Sequence, residues 1–186
     1  MAHGTQENEI KLAVPDSKFA RRLLRAAGFR VSRPRVFEAN TLLDTGRREL
    51  NKAATLLRVR QAGGVGTVTF KGRALAGRHK SREELEVQTS DAGATAAIFA
   101  RLGFLPVFRY EKYRTEFRQP RRAGVIMLDE TPVGVFLELE GTARWIDRTA
   151  RQLGFQEGQY ITASYGGLYL EWSKRNGLKP TKMVFG

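Results

Sequence analysis

The chain has 186 residues, 41% hydrophobic and 27% charged, which suits one globular domain with a sizeable core. It contains no cysteine, which excludes disulfides and thiolate metal sites, and no apolar run of transmembrane or signal-peptide length, so a cytoplasmic location without membrane contact is expected. A net charge of +13 and an isoelectric point of about 10.6 call for a polyanionic partner, either nucleic acid or a small phosphate compound.

The first strand-like segment reads Glu7-Asn8-Glu9-Ile10-Lys11. Alternate residues of a β-strand share a face, so Glu7, Glu9 and Lys11 stand together, with Ile10 and Leu12 opposite. Burying such a charged face is costly unless something compensates it. Pro15-Asp16-Ser17 then starts a helix with Asp16 or Ser17 as N-cap; Phe19, Leu23, Leu24 and Ala27 recur at helical spacing, and Gly28 closes the segment. A strand is expected over 36–43, followed by the turn signal Asp44-Thr45-Gly46.

Strands over 55–61 and 67–71 flank a glycine-rich hairpin connection at 62–66, which lacks the G-K-[ST] ending of a phosphate-binding loop. The first of these strands aligns Arg58 with Arg60; the second aligns Thr67, Thr69 and Lys71. Segment 72–81 carries Arg73, Arg78, His79 and Lys80 and reads either as an ordinary hairpin loop or as a lid. A strand over 82–87 places Arg82, Glu84 and Glu86 on one face, and a helix over 91–102 ends at Gly103. A long strand over 104–117, bent near Pro106, aligns Lys112 with Arg114. Strands over 123–129 and 135–140, joined around Thr131-Pro132, present Asp129 on one and Glu138 and Glu140 on the other. An amphipathic helix over 142–153 turns Trp145, Ile146, Ala150 and Leu153 inward and stops at Gly154. The tail over 164–172 is aromatic and partly helical, and its aromatics are assigned to packing.

One strand with a charged face is ordinarily a wet edge strand. Six or seven of them are accommodated by an α+β fold in which about eight antiparallel strands close into a β-tunnel, the charged faces line the lumen, and helices pack outside. The carboxylates Glu7, Glu9, Asp129, Glu138 and Glu140 have the chemistry to hold a hard divalent cation, and the basic residues can hold a phosphate chain. The only histidines, His3 and His79, show no metal-ligand spacing, which argues against zinc.

The ordered motifs are ExExK, R-x-R, T-x-K-G, R-x-E-x-E, K-x-R, an Asp strand and E-x-E. Together they resemble the CYTH superfamily, or triphosphate tunnel metalloenzymes, over about 7–169. The resemblance implies a single domain over 1–186, a small-molecule triphosphate as substrate, and Mg²⁺ or Mn²⁺ as cofactor. It implies that Glu7 and Glu9, with the Glu138/Glu140 pair, coordinate metal. Lys11, Arg58, Arg60, Lys71, Arg82, Lys112 and Arg114 would hold the triphosphate, supported by Glu84 and Glu86, with catalysis centred on Lys11, Glu9 and Glu140.

Two activities belong to such a tunnel: metal-dependent hydrolysis of an inorganic or organic triphosphate, and cyclisation of ATP to cyclic AMP by a class IV adenylyl cyclase. Leu128-Asp129-Glu130, the stretch over 136–141 and Ser164-Tyr165 are similar to sequences grouped with the cyclases. Against that, Leu42-Leu43-Asp44 lacks the aromatic that many members carry before this Asp. His3-Gly4-Thr5 also stands where some bacterial cyclases have a His-Phe pair. Hydrolysis is therefore the first reading. A third is a non-catalytic binder of polyphosphate or nucleic acid, suggested by the cluster Arg21, Arg22, Arg25, Arg30, Arg33, Arg35, Arg47 and Arg48; the carboxylates on several strands weigh against it. Monomer and homodimer are both left open.

Overall fold

A computed structural model describes residues 5–186. Eight strands close into an antiparallel barrel: β1 (Thr5–Val14), β2 (Arg30–Asp44), β3 (Leu56–Ala62), β4 (Val65–Lys71), β5 (Lys80–Thr89), β6 (Leu105–Arg118), β7 (Val125–Thr131) and β8 (Gly134–Glu140), in the order β1-β5-β4-β3-β2-β6-β7-β8. The helices are α1 (Ser17–Ala26), the short α2 (Glu49–Lys52), α3 (Ala92–Arg101), α4 (Ala143–Gln152) and α5 (Tyr165–Arg175), with a 3₁₀ turn at Glu157–Gln159. No helix among the described residues is long and apolar enough to cross a membrane.

Strand alternation builds the core outside the barrel. Ile10 and Leu12 of β1, Ile126 and Leu128 of β7, and Leu137 and Leu139 of β8 are fully buried against Ala20 and Leu24 of α1 and Trp145, Ile146 and Ala150 of α4. A second cluster packs Leu57 and Val59 of β3 under Ala92 and Phe99 of α3. The caps follow the sequence: Asp16 accepts from Phe19 N at 2.7 Å to start α1, and Thr142 accepts from Trp145 N at 3.2 Å to start α4.

Several boundaries differ from the expectation. β2 begins at Arg30, six residues before 36, and its register with β6 shifts between Val31 and Arg33 and again between Arg33 and Val36. Residues 30–35 are exposed, so no hydrophobic alternation marks them as strand, and Pro34 falls at the irregularity. The Asp44 turn contains a helical turn, α2, because the Asp44 carboxylate accepts from the backbone N–H groups of Thr45, Leu50 and Asn51 at 2.8–3.0 Å. β5 reaches back to Lys80, two residues beyond the expected start. The bend near Pro106 is present as a register shift between Leu42 and Leu43 of β2, where Leu43 faces Pro106.

The first turn of α5 faces the barrel interior, with Tyr165 and Gly166 among the lumen residues. The segment before it pairs with β1 through Ile161 and Lys11, and the segment after it pairs with β6 through Met183, Arg109 and Glu111. Tyr165 and Tyr169 of α5 thereby join Tyr110 of β6 and Phe136 of β8 in a third buried cluster.

Candidate active site

The strands enclose a cavity of about 370 Å³ lined mainly by charged side chains of β1 to β6 and β8, with Val125 and Met127 from β7. Glu7, Glu9 and Lys11 reach it from β1; Glu138 and Glu140 from β8; Arg58 and Arg60 from β3; Lys71 from β4; Arg82, Glu84 and Glu86 from β5; Lys112 and Arg114 from β6. Every residue expected at the site except Asp129 therefore lines one volume.

The charges compensate one another in continuous pairs. Lys71 Nζ lies 2.7 Å from Glu7 Oε2 and 3.1 Å from Glu84 Oε1. Lys11 Nζ bridges Glu9 at 3.2 Å and Glu138 at 3.1 Å. Arg58 donates to Glu86 Oε1 at 3.2 Å, and Arg60 lies 3.6 Å from the same oxygen. Arg82 Nε donates to Glu7 Oε2 at 3.4 Å, and Arg114 Nη2 to Glu138 Oε1 at 2.8 Å.

Asp129 has a different place. It is fully buried, and both its oxygens are occupied: Arg114 Nε donates to Oδ1 at 2.7 Å, while Arg114 Nη2, Lys112 Nζ and the Tyr165 hydroxyl donate to Oδ2 at 2.6, 2.9 and 2.5 Å. Its carboxylate fixes two cations and is not open to the cavity.

Titration follows this layout. Burial opposes ionisation of Glu9 and Glu138, yet Lys11 with Lys80 holds Glu9 low, and Lys11 with Arg114 holds Glu138 low. Burial also opposes the Lys11 charge, but Glu138 and Glu9 raise its pKa. Glu84 and Glu140 behave oppositely. Burial pushes both up to about 7, aided by the Glu7 charge at each and by Glu138 at Glu140.

The donor set fits a hard divalent cation by chemistry: Glu7, Glu9, Glu138 and Glu140 supply only carboxylate oxygens from neighbouring strands, with Glu9 directly opposite Glu140. Glu140 is raised by its burial first and by the Glu7 and Glu138 charges second. Among the described residues no three carboxylate or imidazole groups converge on one point, because these carboxylates are turned toward lysines and arginines.

Several lumen residues were not singled out as site residues in the sequence, Lys80, Glu38, Tyr110 and Tyr165 among them. Lys80 Nζ donates to Glu9 Oε1 at 2.9 Å. Its signal was available, since it continues the alternation of Arg82, Glu84 and Glu86 two residues earlier. Glu38, between Arg60 at 3.8 Å and Lys112 at 3.6 Å, is the only charge on its strand face between the bulge and Leu42, too little to register as a motif. Tyr110 accepts from Arg58 Nη1 at 3.3 Å. Tyr165 corrects the assignment of the tail aromatics to packing alone: its hydroxyl binds Asp129, and Lys11 and Lys112 lie 5.1 and 4.8 Å from its ring centre. Tyr169 and Trp172 do pack.

Segment 72–81 is tied down at its end. His79 Nε2 and Asp147 Oδ1 of α4 are 2.7 Å apart, and Arg78 donates to Glu157 at 2.9 Å. His3 and the missing His-Phe pair lie outside the described residues.

The sequence model of the CYTH domain matches residues 5–165. The Methanocaldococcus jannaschii protein named "Putative adenylate cyclase MJ0240" is 31% identical over 134 residues, covering 72% of this chain and 75% of that protein. Among solved structures, the PH1819 protein of Pyrococcus horikoshii superposes with a TM-score of 0.76 at 24% identity, covering 89% of this chain and 98% of that one. The Hippeastrum protein HpAC1, described as an adenylyl cyclase candidate with a dominant triphosphatase activity, superposes with a TM-score of 0.63 at 19% identity, covering 94% and 97%. At these identities the structural likenesses show the fold.

Proposed function

This chain belongs to the CYTH domain family, and from that premise we propose that it is a divalent-metal-dependent triphosphatase working inside the barrel. The observation that carries the reading is that carboxylates and cations share one volume: Glu7, Glu9, Glu138 and Glu140 come from the paired strands β1 and β8, while Arg58, Arg60, Lys71, Arg82, Lys112 and Arg114 come from β3, β4, β5 and β6. A polyanion entering this space exchanges carboxylates for phosphate oxygens at Arg58, Arg60, Lys71, Arg82, Lys112, Arg114 and Lys11. Guanidinium forks grip two oxygens each, while the ammonium groups act as point charges. Asp129 and Tyr165 keep Lys112 and Arg114 aimed inward during that exchange.

The released carboxylates of Glu7, Glu9 and Glu138, with Glu140, would hold Mg²⁺ or Mn²⁺. A bound divalent ion supplies charge neutralisation on the phosphate chain. Phosphoryl transfer depends mainly on positioning and charge stabilisation, which this wall provides on both sides of the substrate. Glu140 has no ion-pair partner among the described residues, which leaves its carboxylate free to take a metal ion or, alternatively, the proton of the attacking water. Until substrate enters, Lys11 holds Glu9 and Glu138 ionised and in place.

The dominant triphosphatase activity of the Hippeastrum relative supports hydrolysis. The name of the Methanocaldococcus relative keeps cyclisation as the second reading. Incubation with tripolyphosphate and with ATP under Mg²⁺ or Mn²⁺, with all products resolved by chromatography, separates the two. Phosphate release with ADP as the nucleotide product supports hydrolysis; cyclic AMP and pyrophosphate in equal, dominant amounts overturn it.

A further inference from the structure

Helix α3 has little polar surface for the place it occupies. Of its ten residues only Thr95 and Arg101 are polar, yet only Ala92 is fully buried. Ala92 and Phe99 pack onto Leu57 and Val59 of β3, while Ala94, Ala97, Ile98, Arg101 and Leu102 are exposed on the opposite face. Ile98 and Leu102, one turn apart, are 62% and 68% exposed. The other outer helices do the reverse: α1 turns Arg22 and Arg25 outward, and α4 turns Arg144, Arg148 and Arg151 outward. A surface helix ordinarily shows charged and polar residues to water, and one that is apolar all round is ordinarily covered. A single exposed leucine needs no explanation. Residues 94, 97, 98 and 102 instead form a continuous apolar stripe at helical spacing.

The charges at the two ends of the stripe identify its occupant. Asp91 caps the helix through Oδ1, which accepts from Ala94 N at 2.8 Å, and Arg101 stands in the last turn. Neither forms an ion pair among the described residues. Positions 91, 94, 98 and 101 are spaced three, four and three apart, which places them on one narrow seam. A second copy of α3 laid antiparallel against this seam matches it layer by layer. Asp91 meets Arg101 of the second copy, small Ala94 meets large Ile98, and the same contacts recur beyond the two-fold axis. The net charge of +13 makes most of the surface repel a second copy, whereas this face carries one acid and one base. An anionic lipid surface would call for a row of Lys or Arg beside the apolar stripe, and Asp91 opposes it.

We propose that the outer face of α3 is a self-association surface, on which two copies of the chain pack antiparallel about a two-fold axis with Asp91–Arg101 pairs closing both ends. Such an interface is isologous, so each pair occurs twice. It uses six residues per copy, against about 20–30 in an interface of standard size, so the dimer is weak, with a Kd on the order of 10–100 µM. None of the six lines the lumen, and the inference stands apart from the triphosphatase reading.

Sedimentation velocity of the wild type from about 1 to 500 µM, in about 0.3 M NaCl to screen the net charge, reads the equilibrium. Concentration-dependent dimerisation is expected. Arg101→Asp puts two acids together at each end, and Asp91→Arg two bases; each variant alone should dimerise about tenfold more weakly or worse. Their equimolar mixture restores an opposite-charge pair at both ends and should dimerise again. Ile98→Lys sets a charge in the middle of the stripe and should leave the chain monomeric with unchanged circular dichroism; it replaces Asp91→Arg should loss of the helix cap unfold that variant. A wild type still monomeric at about 500 µM, a dimer that neither Arg101→Asp nor Ile98→Lys weakens, or a mixture of the two folded charge variants that stays monomeric overturns the proposal. So does a monomeric wild type that sediments with phosphatidylserine vesicles and loses that binding in Ile98→Lys, which would give the face to a membrane.

Discussion

Glu9 shows how much one lumen side chain is asked to do. It meets Lys11 at 3.2 Å, Lys80 at 2.9 Å and Arg82 at 3.8 Å, and under the proposed function it must release these cations to hold metal. Glu9→Gln preserves volume and removes the charge. Turnover should fall by roughly a hundredfold, with the far-ultraviolet circular dichroism of the barrel retained; a near wild-type rate at saturating metal would place the metal elsewhere. Glu140 and Glu84 make a second residue-scale test. Both are raised to about 7, by burial first and neighbouring carboxylates second. An ordinary glutamate titrates near about 4.3, so between roughly pH 4.5 and 7 the folded protein binds more protons than the unfolded chain. The stability these two groups contribute is complete below that window and is lost as pH rises through about 7. With chelator present, the Tm of the wild type should therefore decline from pH 5 to pH 8, and Glu140→Gln should flatten part of the decline. The same slope in both proteins would show that Glu140 titrates normally.

At the scale of elements, what could be read in the sequence was the alternation of charge along strands that are buried on both faces. Glu7-Glu9-Lys11 and Glu138-Glu140 announce a lumen because no wet edge explains so many charged faces at once, and the opposite faces, Ile10, Leu12, Leu137 and Leu139, announce the helices that cover them. Where an element is exposed, that logic has nothing to work on: residues 30–35 form strand without any apolar periodicity. Tyr165 was illegible for another reason. Its role depends on the first turn of α5 lying beside Asp129, a contact between residues 36 apart that no local pattern encodes. Trp145 of α4 likewise needs Gly124 at the start of β7, which adopts φ +98°, and whose added Cβ would lie 2.4 Å from the indole. Gly124→Ala should thus cost about 2–4 kcal/mol, through strain and displacement of a buried ring. That is a fall in Tm of about 5–15 °C in a chain of this length, measured by thermal denaturation. A loss under about 2 °C would mean that α4 shifts freely over the β7–β8 hairpin.

For the molecule as a whole, the question is where a polyanion goes on a protein of net charge +13. Two destinations compete: exposed arginines such as Arg35, whose side chain is 44% exposed, and the buried cations of the lumen, where Lys11 and Lys112 are each 2% exposed. Salt separates them. Contacts with exposed charges release counterions and weaken steeply as salt increases, whereas buried charges are screened much less. A ligand that binds only the folded protein stabilises it by RT ln(1 + [L]/Kd), about 2.7 kcal/mol at a hundredfold excess over Kd. At this size that corresponds to a rise in Tm of about 5–10 °C. Millimolar tripolyphosphate should produce such a rise in phosphate-free buffer and keep most of it at about 0.3 M NaCl. Orthophosphate should do much less, because a single phosphate cannot span Arg58, Lys71 and Arg114 together. Any effect of duplex DNA matched in phosphate concentration comes from the surface arginines at low salt and should vanish at about 0.3 M. If the tripolyphosphate and DNA shifts disappear together, both ligands sit on the outer surface, and the lumen charges are an internal ion-pair network with no anion to receive.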